Sequence, residues 1–169
     1  TPVKTIHVFV ALCDNKNQGI VPVPAKLGNG KDPDNNLYWG AMYGVRTFLK
    51  KDADWTLLTT IRKPTDNVLE RCIFKHRTRD AFLVADAYQG DAIKTATSDF
   101  LAAAAGNKPR VQAATLGSRK VVLKLSGKAD LAVYVGHNGL MDFKVDAPAP
   151  KRPRAAAARQ AMVFCCRSD

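Results

Sequence analysis

A histidine and a pair of adjacent cysteines each follow a short apolar run in the last third of the chain. His137 stands in the segment GHNG at residues 136–139, and the cysteines are Cys165 and Cys166. If both runs are parallel neighbouring strands of an open α/β sheet, their ends meet at one rim, where such sheets place their ligands. A thiol beside an imidazole is an activated nucleophile, because the imidazole takes the proton or stabilises the thiolate. The sequence therefore predicts a thiol–imidazole site.

The same residues also have a plainer interpretation, which the sequence leaves open. Free cysteine is among the most buried residue types and packs as a small apolar side chain. Strand alternation directs Cys165 toward the core and Cys166 toward the opposite side. The GHNG segment also has the composition of an ordinary tight turn. The prediction therefore depends on whether folding brings His137 and a cysteine together.

Strand-like and helix-like segments alternate along the chain and would position this site. Apolar, β-branched runs predict strands over residues 6–12, 55–61, 81–85, 131–135 and 161–164. Helical spacing predicts helices from residue 35 or 36 to 51, from 91 to about 105, and over 155–160. The alternation predicts one α/β domain over residues 1–169, a mostly parallel open sheet with helices on both faces.

Three segments carry weaker patterns. Residues 65–79 read as a short helix from Thr65 followed by an extended piece at 72–74, and residues 107–117 are typical of a loop. Residues 120–125 alternate and indicate an edge strand or a hairpin arm. The loop over residues 15–35 is rich in Gly, Pro, Asn and Asp, and loops of this length are often lids or specificity loops.

The composition is strongly basic. Lys and Arg number 26 against 15 Asp and Glu, for a formal net charge of +11. Such an excess favours acidic partners, with nucleic acid among them, but it is equally compatible with a merely basic, solvated surface, because no basic motif with interleaved aromatic residues appears. No apolar run approaches the length of a membrane span.

The cysteine pattern argues against both a disulfide framework and a zinc site. The chain has four cysteines, none in CxxC spacing, and no nucleotide-binding glycine motif, so no metal or cofactor is expected. The N-terminal residues show no signal-peptide pattern. Together these features favour the cytoplasm.

The order strand, helix, strand, helix, strand–His, short helix, strand–Cys resembles that of the caspase-like (caspase–hemoglobinase fold) cysteine peptidases. The motif residues are VYVGHNG at 133–139 and VFCCRS at 163–168. In the metacaspase-type pattern, two small residues, the second a cysteine, precede a polar residue and a serine, which places the family's nucleophile on Cys166. The resemblance implies a caspase-like fold and a cysteine endopeptidase acting on protein or peptide substrates.

The resemblance also implies roles for named residues. Cys166 attacks the scissile carbonyl, and His137 acts as general acid or as the counter-ion of the thiolate. Backbone N–H groups at Asn138, Gly139 and Cys166 stabilise the oxyanion. Because the specificity pocket of such enzymes lies at the same rim, Asp14 and Asp86, which both follow predicted strands, are the candidates to bind a basic side chain of the substrate.

The chain departs from the family pattern at three points. Asn138 stands where the family usually has glycine, and Phe164 where aspartate often precedes the cysteine pair. The family also continues past the cysteine with strands that complete its sheet. The resemblance therefore implies either the large-subunit portion of a longer chain, with the C-terminal strands absent, or an active form that needs a second chain.

Two other functions compete with the peptidase. The net charge favours a basic α/β domain that binds nucleic acid, and the fold is also compatible with a scaffold domain that has no catalysis. A peptidase requires His137 and Cys166, whereas a nucleic-acid binder loses affinity steeply with salt and tolerates Cys166→Ala.

Overall fold

The computed structural model describes residues 3–150 and 159–165 of the chain. Two α-helices lie in this part, α1 (Val45–Lys51) and α2 (Ile93–Ala104). The strands, in chain order, are β1 (Lys4–Ala11), β2 (Trp55–Thr65), β3 (Val68–His76), β4 (Ala81–Tyr88), β5 (Pro109–Leu116), β6 (Arg119–Ser126), β7 (Leu131–Val135) and β8 (Gln160–Phe164).

Six of these strands form a mixed sheet in the order β2-β3-β4-β1-β7-β8. β1 pairs in parallel with β4 and β7, and β7 pairs in parallel with β8, whereas β2, β3 and β4 are antiparallel neighbours. β5 and β6 form a separate antiparallel sheet. The predicted mostly parallel sheet with helices on both faces is therefore wrong: half of the strand pairs are antiparallel, and strands and loops take much of the space assigned to helices.

The β2–β3 hairpin is one source of the antiparallel pairing that the sequence did not predict. Only two residues separate Thr65 from Val68, a connection that forces the strands to run antiparallel. The predicted short helix from Thr65 does not form, because the apolar residues of β3 start at Val68 and the strand pairs with β2 on one side and β4 on the other. Pro64 is tolerated near the end of β2 because β2 is an edge strand, where a missing N–H leaves no pair broken.

The β5–β6 hairpin is a second source of antiparallel pairing. β5 occupies most of the segment that the sequence predicted as a loop, and all eight of its residues pair with β6. The alternative of a hairpin arm at residues 120–125 is confirmed. The inward residues Val121, Leu123 and Leu125 pack against Ile73, Phe82 and Val84 of the main sheet.

The face of the main sheet opposite this hairpin is covered mainly by the loop between β1 and α1. Trp39, fully buried, and Leu49 of α1 pack on alternate residues of the central strands. The predicted long helix is reduced to α1, because Gly40 and Gly44 weaken helix formation before it. Asn36 does not cap a helix; its buried side chain bonds the backbone N–H and C=O of Cys13 and so ties the loop to the end of β1.

α2 shares its face of the sheet with the β5–β6 hairpin. Its residues Ile93, Ala96 and Phe100 pack on Phe9 of β1 and Tyr134 of β7, which confirms the predicted helix and its apolar stripe. Residues 155–158 of the last predicted helix lie outside the described residues. No helix in the described part of the chain is long and apolar enough to cross a membrane.

Candidate functional site

The ends of β7 and β8 lie side by side. Val135 pairs with Phe164 in the parallel register, and the Gly136 N–H donates to the Phe164 carbonyl at 3.2 Å. The prediction that the histidine strand and the cysteine strand are parallel neighbours is confirmed. His137 and Cys165 therefore leave the sheet at one rim. Cys166, the predicted nucleophile, lies outside the described residues.

The turn that carries His137 is held by its backbone. Gly136 has a φ of +154°, a conformation that favours glycine, and a Cβ there would lie 3.1 Å from Ala11. The His137 carbonyl accepts the Tyr134 hydroxyl at 2.8 Å and the Gly139 N–H at 2.9 Å. The second bond closes an inverse γ-turn centred on Asn138, whose φ and ψ are −72° and 83°. The N–H of Gly139, a predicted oxyanion donor, is thus engaged within the turn.

The imidazole of His137 is nearly buried and bonds a carboxylate. Its Nε2 lies 2.7 Å from Oδ2 of Asp142, and the same oxygen accepts the Gly19 N–H at 3.1 Å. The Gly19 N–H and His137 hold the pKa of Asp142 below its ordinary value. Because Asp142 is a carboxylate at neutral pH, it accepts a hydrogen from Nε2. Nδ1 is then the imidazole nitrogen that can exchange a proton with a thiol or a substrate.

No role for Asp142 was predicted from the sequence. A 3₁₀ turn, Gly139–Met141, brings this residue back to the histidine that precedes it by five positions. Gly139 permits the turn, because a Cβ there would lie 2.3 Å from the ring of Phe143. An acid shortly after a candidate histidine was the available signal. No signal in the sequence indicated the contact of Asp142 with Gly19, which lies in a loop distant along the chain.

Cys165 borders a cleft beside the histidine turn. Its side chain is half-buried and packs with Leu101 and Phe143 against the cluster around α2, as alternation predicted. The cleft has a volume of about 330 Å³, and its walls include Asn138, Gly139 and Cys165 at the rim and Phe100, Leu101 and Val163 below it. An apolar cleft of this size accommodates a side chain of a bound peptide.

The other cysteines are unsuited to nucleophilic chemistry. Cys13 and Cys72 are fully buried, and burial raises the pKa of Cys13 to about 11 and that of Cys72 to about 12. Both are therefore protonated thiols at neutral pH. This leaves the pair at residues 165 and 166 as the place for a reactive thiol.

Asp14, a predicted substrate-binding residue, lies just past the end of β1 and is buried. Its Oδ1 accepts the N–H groups of Lys16 and Asn17, at 2.9 and 3.2 Å, and its Oδ2 accepts the Asn17 side chain at 2.8 Å. Asp14 therefore holds the first turn of the long loop. A contact between Asp14 and substrate stays a prediction.

Asp86, the other predicted substrate-binding residue, is not in a rim loop, because β4 continues to Tyr88. Its two oxygens bond Arg71 at 2.6 and 2.7 Å, and Oδ2 also lies 3.0 Å from Nε2 of His7. The Ser126 N–H donates to Nδ1 of His7, so Nε2 carries a hydrogen for Asp86. Burial raises the pKa of Asp86, but Arg71 and His7 outweigh it and lower the pKa to about 2. We leave Asp86 out of the proposed site.

Within residues 3–150 and 159–165, no three His, Cys, Asp or Glu side chains are grouped so as to hold a metal ion. No protein-family model, curated protein or solved structure matches the chain significantly. The resemblance to caspase-like peptidases thus stays a prediction from the two motifs, and the rim of β7 and β8 is the site on which a function is proposed.

Proposed function

We propose that this protein is a cysteine endopeptidase that uses His137 and Cys166. The observation that carries the proposal is the parallel pairing of β7 with β8, which brings the histidine turn and Cys165 to one rim. Cys166 is the next residue of the chain. The carboxylate of Asp142 supports the proposal, because it orients an imidazole that would otherwise rotate.

In the proposed reaction, the Cys166 thiolate attacks the carbonyl carbon of the scissile peptide bond and forms a C–S bond. The C–N bond then breaks, and Nδ1 of the His137 imidazolium gives its proton to the leaving amine. Neutral His137 next takes a proton from water, whose oxygen attacks the thioester. The C–S bond breaks, the carboxylic acid leaves, and the thiolate–imidazolium pair is restored.

The proposed oxyanion donors are the backbone N–H groups of Asn138 and Cys166. Gly139 is omitted, because its N–H already donates to the His137 carbonyl. The cleft beside the turn would receive an apolar side chain of the substrate next to the scissile bond, since its walls below the rim are apolar.

β8 supports the proposed second chain that completes the sheet. It is the outermost strand of the main sheet, and Met162, Val163 and Phe164 are 49%, 46% and 60% exposed. An edge strand with exposed apolar side chains is a template for pairing with another strand. Pairing at this edge would also cover the strand that leads to Cys166.

The test is alkylation by iodoacetamide across a pH series, with the modified cysteine identified by mass spectrometry. We expect Cys166 in the unmodified chain to react at mildly acidic pH, where an ordinary thiol with a pKa of about 8.5 hardly reacts. Cys165→Ala is the matched control for Cys166→Ala: the first should keep this fast reaction and the second should lose it. Fast labelling that instead disappears in Cys165→Ala, or uniformly slow labelling of both cysteines, contradicts the assignment.

Asp142→Asn should slow the alkylation of Cys166 by about tenfold or more, because a neutral amide can accept the Nε2 hydrogen of His137 but does not stabilise the imidazolium charge. The pKa of Asp142 is depressed in the folded protein, so its interaction is present above the ordinary carboxyl pKa of about 4 and is lost as the pH falls below it. The variant should therefore differ from the unmodified chain at neutral pH and converge with it in acid. Asp146→Asn, in the same segment, is the control, and an equal effect of both changes counts against a specific role for Asp142.

A further inference from the structure

The β5–β6 hairpin presents two different faces. The inward side chains of β6 are buried against the main sheet, whereas Lys120, Val122 and Lys124 point outward and are exposed. Opposite them on β5, Thr115, Ala113 and Val111 are also exposed. The outer face is thus a two-stranded ribbon of small side chains with a lysine toward each end of β6.

The charge on this hairpin is of one sign. Residues 101–129 contain no Asp or Glu, and their Lys and Arg residues are Lys108, Arg110, Arg119, Lys120, Lys124 and Lys128. Lys108 is paired with Asp99 at 3.0 Å. None of the other five forms a salt bridge with the described residues. Within the described residues, the hairpin and its flanks therefore carry an excess of positive charge on a surface that the proposed peptidase site does not use.

We propose that the outer face of the β5–β6 hairpin binds the phosphate backbone of double-stranded DNA. A two-stranded antiparallel ribbon fits the major groove of B-form DNA, which is about 12 Å wide. Lys120 and Lys124 are four residues apart on one strand, or about 13 Å, so a ribbon that lies along the groove presents them to phosphates at two separate positions. The small residues between them, Val122 on β6 and Ala113 on β5, allow close approach.

The composition of the ribbon favours duplex DNA over other nucleic acids. Proteins that bind single strands stack the bases on aromatic side chains, and residues 101–129 contain no Phe, Tyr or Trp. The major groove of an RNA duplex is too narrow for side chains to enter. The outward side chains also include no Asn, Gln or Arg for bidentate contacts with base edges, and the proposal assigns both lysines to phosphates, so the proposed binding is independent of sequence.

The test measures fluorescence anisotropy of a labelled DNA duplex of random sequence, titrated with the full chain at several salt concentrations. The charge-reversal variant is Lys120→Glu with Lys124→Glu. The matched control is Lys50→Glu with Lys51→Glu, because these exposed lysines end α1 on the opposite face of the main sheet and the net charge changes equally. We expect the hairpin variant to weaken binding at least about tenfold and to reduce the salt slope by about two, and the control to stay within about threefold.

Three results overturn the proposal: no binding of the duplex at low salt, equal weakening by both pairs of substitutions, or equal affinity for polyglutamate, which would indicate an acidic protein as the partner. If charge reversal disturbs the hairpin, the neutral variant Lys120→Gln with Lys124→Gln takes its place in the comparison with the α1 control. This variant should also weaken binding of the duplex. The proposal is independent of the peptidase site, so none of these variants should change the alkylation of Cys166.

Discussion

Asp86→Asn should lower the free energy of unfolding by about 3–5 kcal/mol, because it leaves the Arg71 guanidinium buried without a counter-charge. Arg71 makes two hydrogen bonds to this carboxylate, and both side chains are almost fully buried. The amide also keeps only one acceptor oxygen, and its NH2 group then faces an N–H of Arg71 or His7. The total stability of a domain is about 5–15 kcal/mol, so this single change removes a large part of it. Urea denaturation followed by circular dichroism measures the loss.

The same carboxylate makes stability depend on pH. The pKa of Asp86 is lowered to about 2 in the folded protein, from about 4 in an unfolded chain. Its contribution is therefore complete above about pH 4 and is lost as the pH falls toward 2, for a change of about 2–3 kcal/mol. Asp86→Asn should flatten the stability curve over this range.

Asp91→Asn is the control for Asp86, because Asp91 is partly exposed and its salt bridge with the exposed Lys31 is long, at 3.7 Å, and therefore weak. It should change stability by no more than about 0.5 kcal/mol. Arg71→Gln alone and combined with Asp86→Asn completes a double-mutant cycle, in which the combined loss should be smaller than the sum. A loss under about 1 kcal/mol for Asp86→Asn, or simple additivity in the cycle, would show that the pair is not the structural centre inferred from its contacts.

His137→Ala should reduce the hydrolysis of fluorogenic peptides by about a hundredfold or more, and it should slow alkylation of Cys166 at mildly acidic pH. In the proposed mechanism, Nδ1 supplies the proton to the leaving amine and the imidazolium stabilises the thiolate, and the substitution removes both. Both effects act on the chemical step and not on substrate binding, so the decrease in rate should appear in kcat as well as in kcat/KM.

The chain offers matched controls for His137, since it has three histidines in different surroundings. His76 lies at the end of β3, where the tight turn after it donates N–H groups to its ring, so His76→Ala should leave both rates unchanged. His7→Ala should reduce stability rather than the rate per folded molecule, because His7 belongs to the Asp86 network. If His137→Ala leaves both rates intact in a folded protein, the peptidase proposal fails.

Local patterns were sufficient for several strands of the main sheet and for α2. Residues 81–85 and 131–135 are apolar runs of strand length, and both are strands; the helical stripe after residue 91 is α2. Each of these signals is contained within a few neighbouring residues, as periodicity is. The prediction that the histidine strand and the cysteine strand are parallel neighbours followed from the same kind of apolar run.

The errors lie where pairing partners decide the structure. Residues 107–117 have no strong strand pattern of their own, and they become β5 because β6 offers it eight partners across a two-residue turn. The antiparallel half of the main sheet depends likewise on the β2–β3 turn and on the place of β3 beside β4. Strand propensity reflects such neighbours more than the residues themselves.

The sequence by itself determined which residues are available for chemistry: one histidine in a glycine-bounded turn, two adjacent cysteines, and a basic segment without acids. Only the tertiary structure decided their environments. It brought Asp142 to His137 and the Gly19 N–H to Asp142, and it buried Asp86 between Arg71 and His7 instead of leaving it at the rim. The reason is that hydrogen bonds between residues distant along the chain depend on how loops and strands pack, which local sequence patterns do not record.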